Sequence, residues 1–127
     1  MKQHLLIVED EVLILLSLSM ILRSEVTEVT TAANGKNGLR EISNFPDFDL
    51  YIIDLTLPDM TGLQLIQAIK KQQPKAKIIV MTGRYLNKQA MLKKMQGAEE
   101  LADCHFLAKP FDIHQVKETV SQILQSA

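Results

Sequence analysis

The sequence is short of several things, and each shortage removes a class of function. One cysteine, Cys104, is present, so no disulfide can close within the chain; this suits a reducing cytoplasm, and core packing is the expected role of the thiol. Net charge is nearly absent at a formal -1, which gives no electrostatic reason to expect direct contact with nucleic acid. No apolar run is long enough for a membrane. The most apolar segment, Val12 to Leu22, is interrupted only by Ser17 and Ser19, yet it is roughly half the length of a span. An unbroken apolar core near the N-terminus is also missing, because Glu9, Asp10 and Glu11 divide it, so no signal peptide is expected and the chain is expected to be cytoplasmic. Internal repeats and low-complexity tracts are lacking. No glycine-rich turn follows the first apolar run; acids stand there instead and would repel a dinucleotide phosphate.

What is present fits one domain over residues 1–127, with 46% hydrophobic residues to build a core. The centre of the chain is Leu50-Tyr51-Ile52-Ile53, an apolar run that stops at Asp54 and reaches Pro58 through Leu55-Thr56-Leu57. Such a run reads as a strand buried on both faces. Pro58 cannot continue a ladder, so Asp54 is expected at the rim of a sheet.

Similar runs recur. His4–Val8, Lys77–Met81 and Cys104–Ala108 read as further strands, and Val26–Thr31, which carries Glu28, reads as an edge strand. Between them, helices are expected over Val12–Arg23, Ala32–Ser43, from Leu63 to just before Pro74, and from Tyr85 to about Leu101. Asp112 can cap a last helix bearing Ile113, Val116, Val120, Ile123 and Leu124 at helical spacing. Strand and helix alternating five times predicts a doubly wound α/β domain, a five-stranded parallel sheet with five helices on its two faces.

Parallel strands deliver their carboxyl ends to one rim, where ligands bind in open α/β sheets. Four strand ends here carry chemistry: Glu9 and Asp10, Asp54, Thr82, and Lys109. Clustered carboxylates repel one another, and Lys109 supplies one compensating charge. A divalent cation would balance the remainder, and ligation by carboxylate oxygens with little enclosure favours Mg²⁺. A phosphoryl group would then fit, paired with Lys109 and accepting from the Thr82 hydroxyl.

The motifs Ile7-Val8-Glu9-Asp10-Glu11, Ile53-Asp54-Leu55-Thr56-Leu57-Pro58-Asp59-Met60-Thr61-Gly62, Val80-Met81-Thr82-Gly83 and Lys109-Pro110-Phe111 resemble the receiver domain of bacterial two-component response regulators, and the resemblance covers the whole chain. It implies a flavodoxin-like strand order 2-1-3-4-5. It implies that Asp54 accepts a phosphoryl group from a phosphohistidine on a sensor histidine kinase or histidine phosphotransfer protein. Asp10, Asp54 and the backbone carbonyl of Thr56 would ligate Mg²⁺ directly and Glu9 through water, while Lys109 and Thr82 hold phosphoryl oxygens. Thr82 and Phe106 would form a switch that repacks the face of strand 4, helix 4 and strand 5. Phosphoryl uptake and loss would be self-catalysed, with no external substrate. A downstream effector or output domain is implied, as is a monomer or a phosphorylation-dependent dimer. The chain reads either as a single-domain regulator or as the receiver of a longer protein.

Some residues depart from the family pattern. The Thr82 to Lys109 segment is longer than usual by about one helical turn, so the fourth helix is expected to be extended or preceded by a longer loop. Phe106 stands where tyrosine is commoner. Thr56 and Arg84, each two residues past a site residue, hold positions that in the family tune the lifetime of the acyl phosphate. On the first helix, 100° spacing puts Val12, Leu15, Leu16, Ser19 and Arg23 outward. That face is read as a docking site for the bundle carrying the donor histidine, centred on Val12, Leu15 and Leu16, or as a surface covered by the last helix. Two alternatives stand beside the switch. One is a degenerate receiver acting only as a protein-interaction module. The other is a Mg²⁺-dependent aspartyl-phosphate phosphatase, disfavoured because Thr56 occupies the place of its second acid and no cap domain is present.

Overall fold

A computed structural model of the chain describes residues 2–24, 27–96 and 98–125. Its elements are β1 (Gln3–Val8), α1 (Val12–Leu22), β2 (Thr27–Ala32), α2 (Gly35–Asn44), β3 (Leu50–Asp54), α3 (Gly62–Gln72), β4 (Ile78–Thr82), α4 (Lys88–Lys94), a 3₁₀ turn (Glu99–Leu101), β5 (His105–Ala108) and α5 (Ile113–Gln125). The five strands form one parallel sheet in the order β2-β1-β3-β4-β5. The order reverses between β1 and β3, and a crevice opens there at the carboxyl edge.

The apolar runs explain the order. Every residue of β3 and β4 is buried, as are the last four of β1, because these strands carry helices on both faces. The partly exposed β2 and β5 take the edges. Alternate residues divide into two cores. Leu6, Val8, Tyr51, Ile53 and Val80 face Ile42 of α2, Leu65 and Ile69 of α3 and Met91 of α4. Leu5, Ile7, Ile52, Ile79 and Met81 face Leu18 of α1 and Val116 and Val120 of α5. No helix among the described residues is long and apolar enough to cross a membrane.

The limits of β1, β4, β5 and α1 shift by one residue from the expectation, and four other differences have an identifiable cause. β2 runs one residue further, with Ala32 paired to Val8, and Val26 lies outside the described residues. α2 accordingly begins later, at Gly35, where the Asn34 side chain caps it by accepting the Asn37 N–H at 2.8 Å. α3 starts at Gly62 behind a capping box: Thr61 Oγ1 accepts the Gln64 N–H, and Gln64 Oε1 accepts the Thr61 N–H at 3.1 Å. That is the Thr-x-x-Gln signature of a helix start.

The fourth difference is the segment from Tyr85 to Leu101, which is not one extended helix. Asn87 caps α4 by accepting the Ala90 N–H at 2.8 Å, α4 stops at Lys94, and the 3₁₀ turn follows. Met91 and Leu101 are both buried in the same core while Leu86 is exposed. The chain is pinned at those two buried residues, and the additional length is taken up in the connections around a short helix.

α1 is rotated relative to the expectation. Leu15, Leu18, Ser19 and Leu22 are buried, whereas Val12, Leu13, Leu16 and Met20 are exposed. A helix apolar on every side carries no periodicity to orient it; packing against β1, β2 and α5 chooses the stripe.

Candidate functional site

The carboxyl ends of β1, β3, β4 and β5 meet at the rim. Asp54 is the last residue of β3 and Thr82 the last of β4; Glu9 and Asp10 follow β1, and Lys109 follows β5. Backbone bonds fix this register: the Leu55 N–H donates to the Met81 carbonyl at 2.8 Å and the Lys109 N–H to the Thr82 carbonyl at 2.9 Å. Glu9, Asp54 and Thr82 are buried, and Asp10 is exposed. Carboxylate oxygens of Glu9, Asp10 and Asp54 lie within 4.8 Å of one another, close enough to share a metal ion.

Lys109 is the counter-charge. Its ammonium donates to Asp54 Oδ2 at 3.2 Å, pairs with Glu9 Oε1 at 2.5 Å, and lies 3.7 Å from Glu11 Oε1. The other Asp54 oxygen, Oδ1, accepts the Thr56 N–H at 3.0 Å, so both oxygens are oriented. Glu9 Oε2 accepts the Glu11 N–H at 3.0 Å, but Oε1 is buried with no hydrogen bond of good geometry. Burial pushes the Glu9 carboxyl up to about 7; Lys109 acts against that shift and the neighbouring Asp54 adds to it. Burial opposes the charged form of Lys109 as well, yet the bond to Glu9 and the charges of Asp54 and Glu9 leave its pKa raised.

One ammonium therefore serves several acids, and Glu9 ionises reluctantly. An oxygen donor set with surplus negative charge fits a hard divalent cation, so the acidic cluster passes a chemical test for a metal site. Beside it an open cleft of about 510 Å³ is lined by Asp10, Glu11, Asp54, Thr56, Arg84 and Lys109. Thr82 Oγ1 accepts the Arg84 N–H at 3.0 Å, which leaves the hydroxyl proton free to donate into the rim. Phe106 is half-buried on β5, paired in register with Val80 and packed against the α2, α3 and α4 side of the sheet.

A buried, oriented aspartate at the end of β3 thus stands among acids, with a threonine from the adjacent β4 and a lysine from the end of β5. The family model of the response regulator receiver domain matches residues 5–121. The chain belongs to that family. Over 124 residues it is 34% identical to the transcriptional regulatory protein GlrR of Escherichia coli (strain K12), covering 98% of this chain and 27% of that protein. Against the sporulation initiation phosphotransferase F of Bacillus subtilis (strain 168) the identity is 29%, with 98% of this chain and 95% of that protein covered. The solved structure of the response regulator TrrA from Thermotoga maritima, in complex with Mg²⁺ and beryllium fluoride, matches with a TM-score of 0.77 at 30% identity, over 95% of this chain and 98% of that one. The chain thus spans about a quarter of GlrR and nearly all of the other two proteins.

The receiver domain of two-component response regulators is a phosphoacceptor switch, and this receiver has the acidic cluster such a switch uses. Glu9, Asp10, Asp54, Thr82 and Lys109 come together at the rim. Leu15 does not belong with the surface residues: it is 9% exposed and packs in the core, so Val12 and Leu16 are left as the outward members of that group. Two residues near the site were not singled out from sequence. Glu11 reaches Lys109, and its place in the Glu9-Asp10-Glu11 run was the available signal. Asp59 binds the start of α2, and nothing local in the sequence indicates that.

Proposed function

We infer that this receiver accepts a phosphoryl group on Asp54 from the phosphohistidine of a sensor histidine kinase or a histidine phosphotransfer protein. An Asp54 oxygen attacks phosphorus, the bond from phosphorus to the imidazole nitrogen breaks, and that nitrogen leaves with the electron pair and takes up a proton. The observation that carries the reading is the Asp54 carboxylate itself. It is buried, held at Oδ1 by the Thr56 N–H and at Oδ2 by Lys109, and it faces an open cleft.

Mg²⁺ is the ion the donor set favours; Asp10, Asp54 and the Thr56 backbone carbonyl would hold it directly and Glu9 through water, and when bound it would supply positive charge to the phosphoryl oxygens. Lys109 exchanges its carboxylate partners for one phosphoryl oxygen, and the Thr82 hydroxyl donates to another. Movement of Thr82 toward that new acceptor, followed by Phe106, repacks the face of β4, α4 and β5. Uptake and loss of the phosphoryl group are self-catalysed, and there is no external substrate. The altered face engages an effector or output domain, or a second phosphorylated receiver.

The donor docks on α1. Val12, Leu13 and Leu16 are 61%, 80% and 53% exposed, and a groove lined by Leu13, Ile14, Pro110 and Phe111 leads to Lys109. A cytoplasmic location belongs to the same reading, supported by the free thiol of Cys104.

The test is intact mass after incubation with acetyl phosphate. Gain of one phosphoryl group that requires both Mg²⁺ and Asp54, judged against Asp54→Asn and a chelated sample, is the expected result. No gain by folded, Mg²⁺-binding protein would leave an interaction module without phosphoryl chemistry.

A further inference from the structure

Asp59 takes no part in the chemistry above, and it is exposed. Its carboxylate nevertheless has both oxygens engaged at a distant segment of the chain. Oδ1 accepts the Gly35 N–H at 2.8 Å and Oδ2 accepts the Lys36 N–H at 2.9 Å. These two N–H groups open α2 and have no partner within the helix. The bonds from Gly35 and then Lys36 hold the Asp59 carboxyl below its ordinary range. Met60 extends the contact, for it fills the space that a Cβ on Gly35 would need.

The loop that carries Asp59 begins at the site. Asp54 Oδ1 accepts the Thr56 N–H, Thr56 forms an antiparallel bridge with Thr61, and the Gly62 N–H donates to the Leu55 carbonyl at 2.8 Å. Thr56 thus lies on a closed loop with two anchors. One is the start of α3, through Thr61 and Gly62. The other is the start of α2, through Asp59 and Met60, and it is the one that fixes the tip.

We propose that Asp59 is a positioning residue for the divalent cation: by tying the loop tip to the first turn of α2 it aims the Thr56 backbone carbonyl toward Asp10 and Asp54. This role rests on the Thr56 carbonyl being a Mg²⁺ ligand, as proposed above. Groups that orient a ligand from behind are worth about ten- to a hundredfold in metal affinity. Linkage requires the reverse effect too, so Mg²⁺ must tighten the contact between Asp59 and α2.

The test measures Mg²⁺ affinity by calorimetry and amide exchange by NMR, on folded protein without phosphodonor. In the native chain, Mg²⁺ should slow exchange of the Gly35 and Lys36 amides. Asp59→Ala should weaken Mg²⁺ about tenfold, and Asp59→Asn, which keeps one acceptor oxygen, should weaken it less. Asn34→Ala is the control, because it removes the cap on Asn37 at the same helix end without touching the loop; it should lower Tm and leave Mg²⁺ affinity unchanged. Native affinity in Asp59→Ala, equal weakening in Asn34→Ala, or unchanged exchange at Gly35 and Lys36 would each overturn the role. Absence of Mg²⁺ binding by the native chain would overturn the proposed function first, and this role with it.

Discussion

Gly62 packs against the backbone of Asp54 so closely that a Cβ on it would overlap the Asp54 carbonyl oxygen and stand 2.8 Å from the Leu55 Cα. Backbone cannot yield as a flexible side chain would, so α3 can begin beside the end of β3 only from a glycine. Gly62→Ala should cost about 1–3 kcal/mol in urea unfolding, as overpacking does. It should also slow phosphorylation by acetyl phosphate in the fraction that stays folded. Native-like values of both would mean that the loop relaxes freely.

The two orientations available to α1 separate cleanly. Leu15 is buried and Leu16 is half-exposed, so Leu15→Ala should destabilise by about 2–5 kcal/mol. Leu16→Glu should leave Tm nearly unchanged, slow phosphoryl transfer from the partner histidine protein and spare uptake from acetyl phosphate. Equal loss with both donors would place Leu16 outside the docking surface.

Mg²⁺ should stabilise the fold through the acids it relieves. At free Mg²⁺ about 100 times its Kd, linkage gives about 2.7 kcal/mol, read as a rise in Tm that a chelator reverses. Asp10→Ala should abolish most of that rise, because it removes a proposed direct ligand exposed at the rim. A full rise in Asp10→Ala would assign the ion to another site.

Cys104 reports on opening of the α3 and 3₁₀ side. The thiol is 2% exposed, its Sγ lies 3.3 Å from the Glu100 carbonyl oxygen, and burial pushes it from 9 up to about 11. A thiol reagent at pH 8 should therefore react at the rate of local or global opening. Because the folded pKa lies above the unfolded value, the unfolded chain releases its proton first as pH rises. Stability should accordingly fall between about pH 9 and 11, and Cys104→Ala should flatten that decline. Immediate labelling of native protein would contradict the burial.

Much of this receiver is legible in its amino-acid sequence. Leu50–Ile53 and Ile78–Met81 are apolar without interruption because helices cover both faces, and that pattern, with strand ends carrying acids, a threonine and a lysine, is enough to name the rim. The Thr61-x-x-Gln64 cap is equally local, a signal within four residues. Other features had no local signal. Val12–Leu22 is apolar all round, so its sequence supports more than one rotation, and only the fit against β1, β2 and α5 buried Leu15 and exposed Leu13. The segment after Thr82 had the length for one long helix, yet α4 stops at Lys94 and a separate 3₁₀ turn over Glu99–Leu101 brings Leu101 into the same core as Met91. Asp59 carries no local mark of a role, and its meeting with Gly35 depends on where the sheet delivers α2. Periodicity and strand ends, being local, set the elements and the chemistry of the rim. Helix rotation, helix length and the Asp59 tether arise from contacts between residues far apart in the chain, which exist only once the sheet has assembled.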